Sequence, residues 1–444
     1  MRKTIFGFWL LIFLSLRLGA AGPETFYLPA LGPSVLVFDQ SAGEKRAWYI
    51  NDHCLIKGPD GRYHLFGITH KKEIVPPPWA EHTFAHASSE ELLKIPWQKH
   101  PRVLEADKKL GETHLWAPHI IEKDGSYYMF YAGGGGHWDS MINLAVSKDL
   151  FNWERPAVNP LFRDFYDARD PMALKVGDEY LLYYCKTYSQ DDHRSAVAVR
   201  RSKDLIHWSE PEFALVLSDS PRLINSGHTE SPYVFEHQGR FYLAVCTPFY
   251  HYRLTRIFIS DNPYRFEEKN EITSFIAHCA EILNWEGKWF ASHAGWFYDG
   301  VYLAPINWRK AKRFDPQFVF VNAGETEDYL TEQSKTRKIG SLPLSILTTN
   351  AFLEIKPGGF AGYQIPIPKE AGLIQLFICG TGDYEILVNG KKLDQAKDPS
   401  SSEGLDLYWL DQQSGWADGN LKLTLKAGGK SSYQLNFIRL YLIE

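Results

Sequence analysis

Three short stretches each set an acid directly ahead of an apolar, strand-like run: Ile50-Asn51-Asp52, Ala168-Arg169-Asp170-Pro171 and Thr229-Glu230-Ser231-Pro232. Carboxylates that converge in a cleft cannot all stay ionised cheaply, so their pKa values are driven apart. A pair separated in this way supplies one protonated acid and one ionised base or nucleophile at the same pH. Glycosidic bond cleavage uses such a pair: an acid to protonate the leaving oxygen and an opposing carboxylate. A third carboxylate tunes the acid or holds a sugar hydroxyl. That chemistry requires Asp52, Asp170 and Glu230, distant in sequence, to meet at one point.

The elements that would bring them together recur five times: GPDGRYHLFG (58–67), KDGSYYMFYAG (123–133), VGDEYLLYYC (176–185), HQGRFYLAVC (237–246) and WEGKWFASHAG (285–295). Each is a polar turn with Gly followed by an aromatic-rich strand, a hairpin signal. The leading aromatics are Tyr63, Tyr127, Tyr180, Phe241 and Trp289. A second shared element, SKDLFNW (147–153) and SKDLIHW (202–208), follows downstream. Repeats of about 50–60 residues built of several short strands predict the blades of a β-propeller, five in number. Eleven residues before the marker aromatic stand Asp52, Trp116, Glu230 and His278. In the third copy the turn reads as one residue shorter, and an offset of ten falls on Asp170. Equivalent positions in a propeller ring its axis, so these five residues are expected around the mouth of the central channel. Acids make up 53 of 444 residues, so three acids in five equivalent slots stand well above background.

Taken singly, each residue also has a structural reading. Glu230 is suited to cap a turn or pair with Arg222, and Asp52 and Asp170 to bond their own turns. Trp116 suits a core, and His278 a satisfied buried histidine. Their shared place in the repeat favours function.

These residues carry a resemblance. Residues 45 to 310 resemble the five-bladed glycoside hydrolases of families 43 and 32. WYINDHCLIKGPDGRYHLF is similar to the family 32 opening, where an Asn-Asp pair precedes a strand, ARDP to its Arg-Asp-Pro motif, and TESP to the block that holds the general acid in both families. LWAPHI is close to the Trp-Ala-Pro-Asp block of family 43, and AHCAEI to its fifth-blade histidine. The resemblance implies that Asp52 is nucleophile (family 32) or general base (family 43). It makes Asp170 the residue that modulates the acid and orients substrate, and Glu230 the general acid. Trp116, His119, Arg169 and His278 are the expected substrate-binding set. His53, His119 and Ser231 depart from the usual Pro, Asp and Gly or Cys. Some family 43 relatives hold a calcium or other ion near the matching histidine; the sequence itself assigns no metal and no cofactor.

The substrate expected on this basis is an oligo- or polysaccharide containing a furanose, of arabinose or fructose type. The alternatives are a non-catalytic glycan-binding propeller and a hydrolase of xylosides or galactosides. Trp79, Trp138 and Trp296 are candidate sugar platforms. A formal net charge of −5 gives no global basic field for nucleic acid. Arg2 and Lys3, the apolar run Ile5 to Leu16 and Gly19-Ala20-Ala21 read as a signal peptide over 1–21, and hence a secreted or periplasmic protein without membrane insertion. The five cysteines form no metal or redox motif and read mainly as buried small hydrophobes, with room for one disulfide. The propeller is expected over 22–340. Over 341–444 the repeat stops and alternating strands such as YEILVNGKKL predict an accessory β-sandwich, giving an all-β fold.

Overall fold

The computed structural model describes residues 25–72, 81–134, 139–165, 167–189, 194–218, 229–247, 252–295, 298–312, 318–322, 336–339 and 352–443, apart from 395, 399–400, 402–403, 415, 417–418 and 429–430. The leader-like residues and Trp79, Trp138, Trp296 and Arg222 lie outside this set. Among the described residues the chain is all-β, with only short 3₁₀ turns, and no helix is long and apolar enough to cross a membrane. All five cysteines are buried and unpaired.

Four antiparallel sheets each take four strands in sequence order. The first runs from Trp48–Lys57 through Tyr63–Lys71 and Thr83–Ser89 to Gln98–Glu105. The second, third and fourth open with Trp116–Lys123, Arg169–Val176 and Glu230–His237. The fifth joins Ile282–Trp285, Lys288–His293 and Val301–Lys312 to the N-terminal strand Thr25–Leu31, in register from Thr25↔Lys312 to Leu31↔Ile306. The last of these sheets is therefore closed by the beginning of the chain.

Local chemistry explains the repeat. Asp124-Gly125, Gln238-Gly239 and Glu286-Gly287 take φ of 52/70°, 52/74° and 54/80°, the two-residue turn in which both positions are left-handed and Gly fits the second. In SKDL, Asp149 Oδ1 accepts from the amides of Phe151 and Asn152, and Asp204 Oδ1 from those of Ile206 and His207. The motif is thus a side-chain-capped turn after the third strand. The marker aromatics and their neighbours fill the gaps between sheets. Phe66 shares a core with Tyr131, Phe130 with Tyr184, Tyr183 with Phe258, Tyr242 with Ile282, and Leu65 with Leu303. Each sheet packs on the next, and the fifth on the first.

The C-terminal region forms two further antiparallel sheets around one core, to which Leu376 and Leu440 contribute from one sheet and Ile386 and Leu423 from the other. The strands Phe318–Asn322 and Thr336–Ile339, expected in the first domain, belong to this C-terminal pairing: the former lies beside Tyr433–Ile443 and the latter beside Phe352–Ile355. Alternating strands after a repeat do not reveal with which sheet they pair.

The two regions are joined by a buried ionic centre. Glu271, wholly buried on the fourth sheet, accepts from Arg256 of its own sheet and from Arg439 and Tyr441 of the C-terminal sheet, at 3.1 Å and 2.5 Å for the latter two. Removing one partner from such a group strands the others. Glu271→Ala is expected to cost about 3–5 kcal/mol of stability, read as a lowered urea midpoint.

Candidate active site

The first strands of successive sheets pack against one another, the first on the second, the second on the third and the third on the fourth. Each of these four strands carries a bulge at the same level: the register shifts between Ile50 and His53, Trp116 and His119, Arg169 and Met172, and Glu230 and Tyr233. Ala117, Asp170, Ser231 and, in the fifth repeat, Cys279 have φ of 46–54°. Bulges re-aim side chains and are common beside functional sites.

The ladder corrects the alignment of the third repeat. Its hairpin turn between Val176 and Glu179 has the same length as those between Lys123 and Ser126 and between His237 and Arg240. Arg169, paired with Cys185, is therefore the counterpart of Glu230, paired with Cys246, and of Trp116, paired with Ala132. Asp170 stands one residue further on, in the bulge, and Asp52 also lies within its bulge. The third turn is not shorter than the others, so the common offset of eleven residues before the marker aromatic falls on Arg169.

The three acids nevertheless meet. Ser231 Oγ donates to Asp52 Oδ1, and the Ser231 amide donates to Asp170 Oδ2 at 3.0 Å. Arg169 Nη1 donates to both Asp170 Oδ2 (3.2 Å) and Glu230 Oε1 (3.3 Å), while its Nε donates to Asp167 Oδ2 (2.8 Å) and its Nη2 to the Thr229 carbonyl (2.9 Å). Asp52, Asp170 and Arg169 are buried, whereas Glu230 keeps 21% of its side chain exposed. Burial pushes Asp170 up to about 7, helped by the charge of Asp52 and opposed by Arg169. Burial, with the charges of Asp52 and Asp170, likewise raises Glu230 well above the carboxylate range against the pull of Arg169.

His278 Nδ1 lies 2.8 Å from the Tyr252 carbonyl, so this nitrogen carries the proton in the neutral ring. Its Nε2 lies 2.8 Å from Asn51 Oδ1. Burial holds His278 below its ordinary value, and Glu230 Oε2 is 3.8 Å from its Nδ1. The ring nitrogens of His119 face Glu281 Oε1 (3.2 Å) and the Ala173 carbonyl (3.1 Å), and it lines a small cavity of about 30 Å³ together with Asp52, Asp170, Tyr233 and Glu281. Trp116 joins the group through an unforeseen residue, Glu81, whose Oε2 accepts from the indole at 2.6 Å. Burial raises Glu81 to about 7, with the charge of Asp52 adding to the effect and hydrogen bonds from Tyr49 and Trp116 opposing it. No repeat counterpart marks Glu81. Asp167, by contrast, stood in plain view in DARDP.

Asp52, His278 and Cys279 offer one oxygen, one nitrogen and one sulfur within 4.8 Å of one another. That mixed set suits a borderline ion such as zinc and does not fit calcium, which takes six to eight oxygens.

The raised Asp170 has a consequence for stability. Its folded value near 7 exceeds the unfolded value near 4, so its contribution is fully present below pH about 4 and is lost as pH rises towards 7. Asp170→Asn, which does not titrate, is expected to gain thermal stability over the parent progressively between pH 4 and 7. Melting curves at pH 4, 5.5 and 7 test this; a difference that stays flat would contradict the buried-charge account.

Similarity to known proteins extends over part of the chain. Residues 45–218 match the Glycosyl hydrolases family 32 N-terminal domain. A protein named xylosidase/arabinosidase from Bacteroides ovatus is 24% identical over 211 residues, 40% of this chain and 63% of that protein. Another of that name from Butyrivibrio fibrisolvens is 36% identical over 66 residues, 14% of this chain and 13% of that protein. The chain thus spans less than two thirds of the length of either relative. Among solved structures, a Bombyx mori GH32 beta-fructofuranosidase gives a TM-score of 0.47 at 16% identity, covering 94% of each chain. A thermostable family-43 glycoside hydrolase gives 0.44 at 18% identity, covering 62% of this chain and 93% of that one. Over part of its length the chain is therefore similar to glycoside hydrolases, through the family 32 N-terminal domain and the proteins named xylosidase/arabinosidase.

Proposed function

We propose that this protein is an exported glycoside hydrolase acting on a furanose-containing glycan of arabinose or fructose type. In this reading the five sheets are the blades of a five-bladed propeller and the two C-terminal sheets an accessory β-sandwich. The observation that carries it is the meeting of Asp52, Asp170 and Glu230 around one arginine, with Glu230 driven towards its protonated form. A glycan-binding propeller without activity has no use for a proton donor. The match to the family 32 domain and the relatives named xylosidase/arabinosidase support the substrate class, and the latter keep a xyloside in view.

Each residue has a role in this mechanism. Glu230, partly exposed and protonated, gives its proton to the leaving oxygen. Arg169 ties Glu230 to Asp170 and orients both. Asp170, held by the Ser231 amide, shares the buried negative charge with Glu230 and in its ionised form keeps the proton on Glu230. Asp52, with Oδ1 engaged by the Ser231 hydroxyl, turns its other oxygen to a water, and acts as general base in an inverting displacement.

A hydrolysis screen over arabinan, fructan, xylan and galactan oligosaccharides tests the class; tight binding to one with release from none would favour the binding protein. Glu230→Gln is expected to lower the rate by about 10²–10⁴ on natural glycosides and far less on aryl glycosides, whose leaving groups need little protonation. Equal losses on both would remove Glu230 from the acid's role. Proton NMR of the first-formed anomer is expected to show inversion, as required if a water fits between carboxyl groups roughly 6.5–9.5 Å apart. Net retention, or a glycosyl ester on Asp52, would make Asp52 the nucleophile instead.

A further inference from the structure

Glu81 is a buried carboxylate that the mechanism above does not use. Its Oε1 accepts from the Tyr49 hydroxyl, its Oε2 from Trp116 Nε1 at 2.6 Å, and its main-chain oxygen from the Leu115 amide at 2.8 Å. Tyr49 stands three residues before Asp52 on the same strand, and its own carbonyl is held by Thr69 Oγ1 at 2.8 Å. Trp116 is the last paired residue before the bulge of the second sheet, and its indole stacks on His114 with centroids 3.6 Å apart. Glu81 therefore bridges the first strands of two neighbouring sheets beside the candidate base. Both side-chain donors to it are neutral, a costly way to keep a carboxylate out of water. An amide or an apolar side chain would serve packing better, which argues for a task other than stability.

We propose that Glu81 is a positioning residue for saccharide binding. It holds the partly exposed Trp116 indole, braced through the buried Tyr49 phenol, at a set distance from Asp52, so that the indole forms the wall against which the apolar C–H face of a sugar ring rests. The proposal builds on the hydrolase reading.

The test compares kcat, KM and thermal stability of the parent, Glu81→Ala, Glu81→Gln and Trp116→Phe on an oligosaccharide that the parent hydrolyses. Glu81→Ala is expected to raise KM by about 10-fold or more, with kcat changed by less than about threefold. Glu81→Gln, whose amide accepts from the indole and donates to the Tyr49 oxygen, is expected to restore KM to within about threefold of the parent. Trp116→Phe keeps a ring but loses the N–H, and is expected to raise KM in the same direction. In the double variant Glu81→Ala/Trp116→Phe the two effects should not add. An unchanged KM in Glu81→Ala, or a Glu81→Gln as impaired as the alanine variant, would overturn the proposal while leaving the hydrolase reading intact. If the alanine variant does not fold, an unchanged KM in Trp116→Phe overturns it equally. A parent chain that hydrolyses none of the screened glycans would remove the hydrolase reading and this proposal with it.

Discussion

One guanidinium governs the centre of this molecule. Arg169 contacts Asp167, Asp170 and Glu230, and Asp52 stands in the same group through Ser231, so four carboxylates share one fixed cation. His278, held neutral by burial, adds no second charge. A buried excess of negative charge of this size is relieved by protons, not by further ion pairs. The proton settles where water is scarce and neighbouring charge is greatest, and both Asp170 and Glu230 are raised accordingly. An acid ready to give up a proton is thus a consequence of the imbalance: a second cation would weaken it, whereas losing Arg169 would raise Asp170 and Glu230 further.

The imbalance persists only because the backbone leaves the acids no room to part. The left-handed residues Ala117, Asp170, Ser231 and Cys279 each sit in a conformation that costs a non-glycine residue about 1–3 kcal/mol. Paired strands continue beyond each bulge, and aromatic cores between the sheets hold those strands in place. The same extra residue that strains the chain turns Asp170 and the Ser231 amide towards each other.

The sequence made the hairpins legible because turn chemistry and aromatic strands are local. The acids were legible because they stand next to those strands. What escaped depended on pairing across the fold. Asp170 was aligned with Glu230 by taking the third turn as one residue short, whereas the ladder shows a turn of equal length and aligns Arg169 with Glu230. Thr25–Leu31 completes the fifth sheet over a separation of nearly the whole first region, and nothing in its seven residues names its partner. Glu81 lies in a stretch without a repeat counterpart, so only its contacts with Tyr49 and Trp116 mark it. His119 was read as a sugar ligand from its place in LWAPHI; its contacts with Glu281 and the Ala173 carbonyl, in a cavity that Asp52 and Asp170 also line, were not legible there.

The C-terminal sheets bear on the site from behind. Phe377, Cys379, Leu405, Leu407 and Tyr441 pack against Leu254 and Ile276. Leu254 is two residues from Tyr252, whose carbonyl fixes the His278 ring, and Ile276 is two residues from His278 itself. The Glu271 centre ties the same two strands to the C-terminal sheet, since Glu271 begins the strand that Ile276 finishes and Arg256 lies two residues into the strand that Leu254 begins. Apolar contact and a buried ionic group together fasten this strand pair to the C-terminal sheet. The orientation of His278 towards Asn51 and Glu230 is therefore set jointly by both halves of the chain, and the C-terminal region acts as a brace for the candidate site whether or not it binds glycan itself.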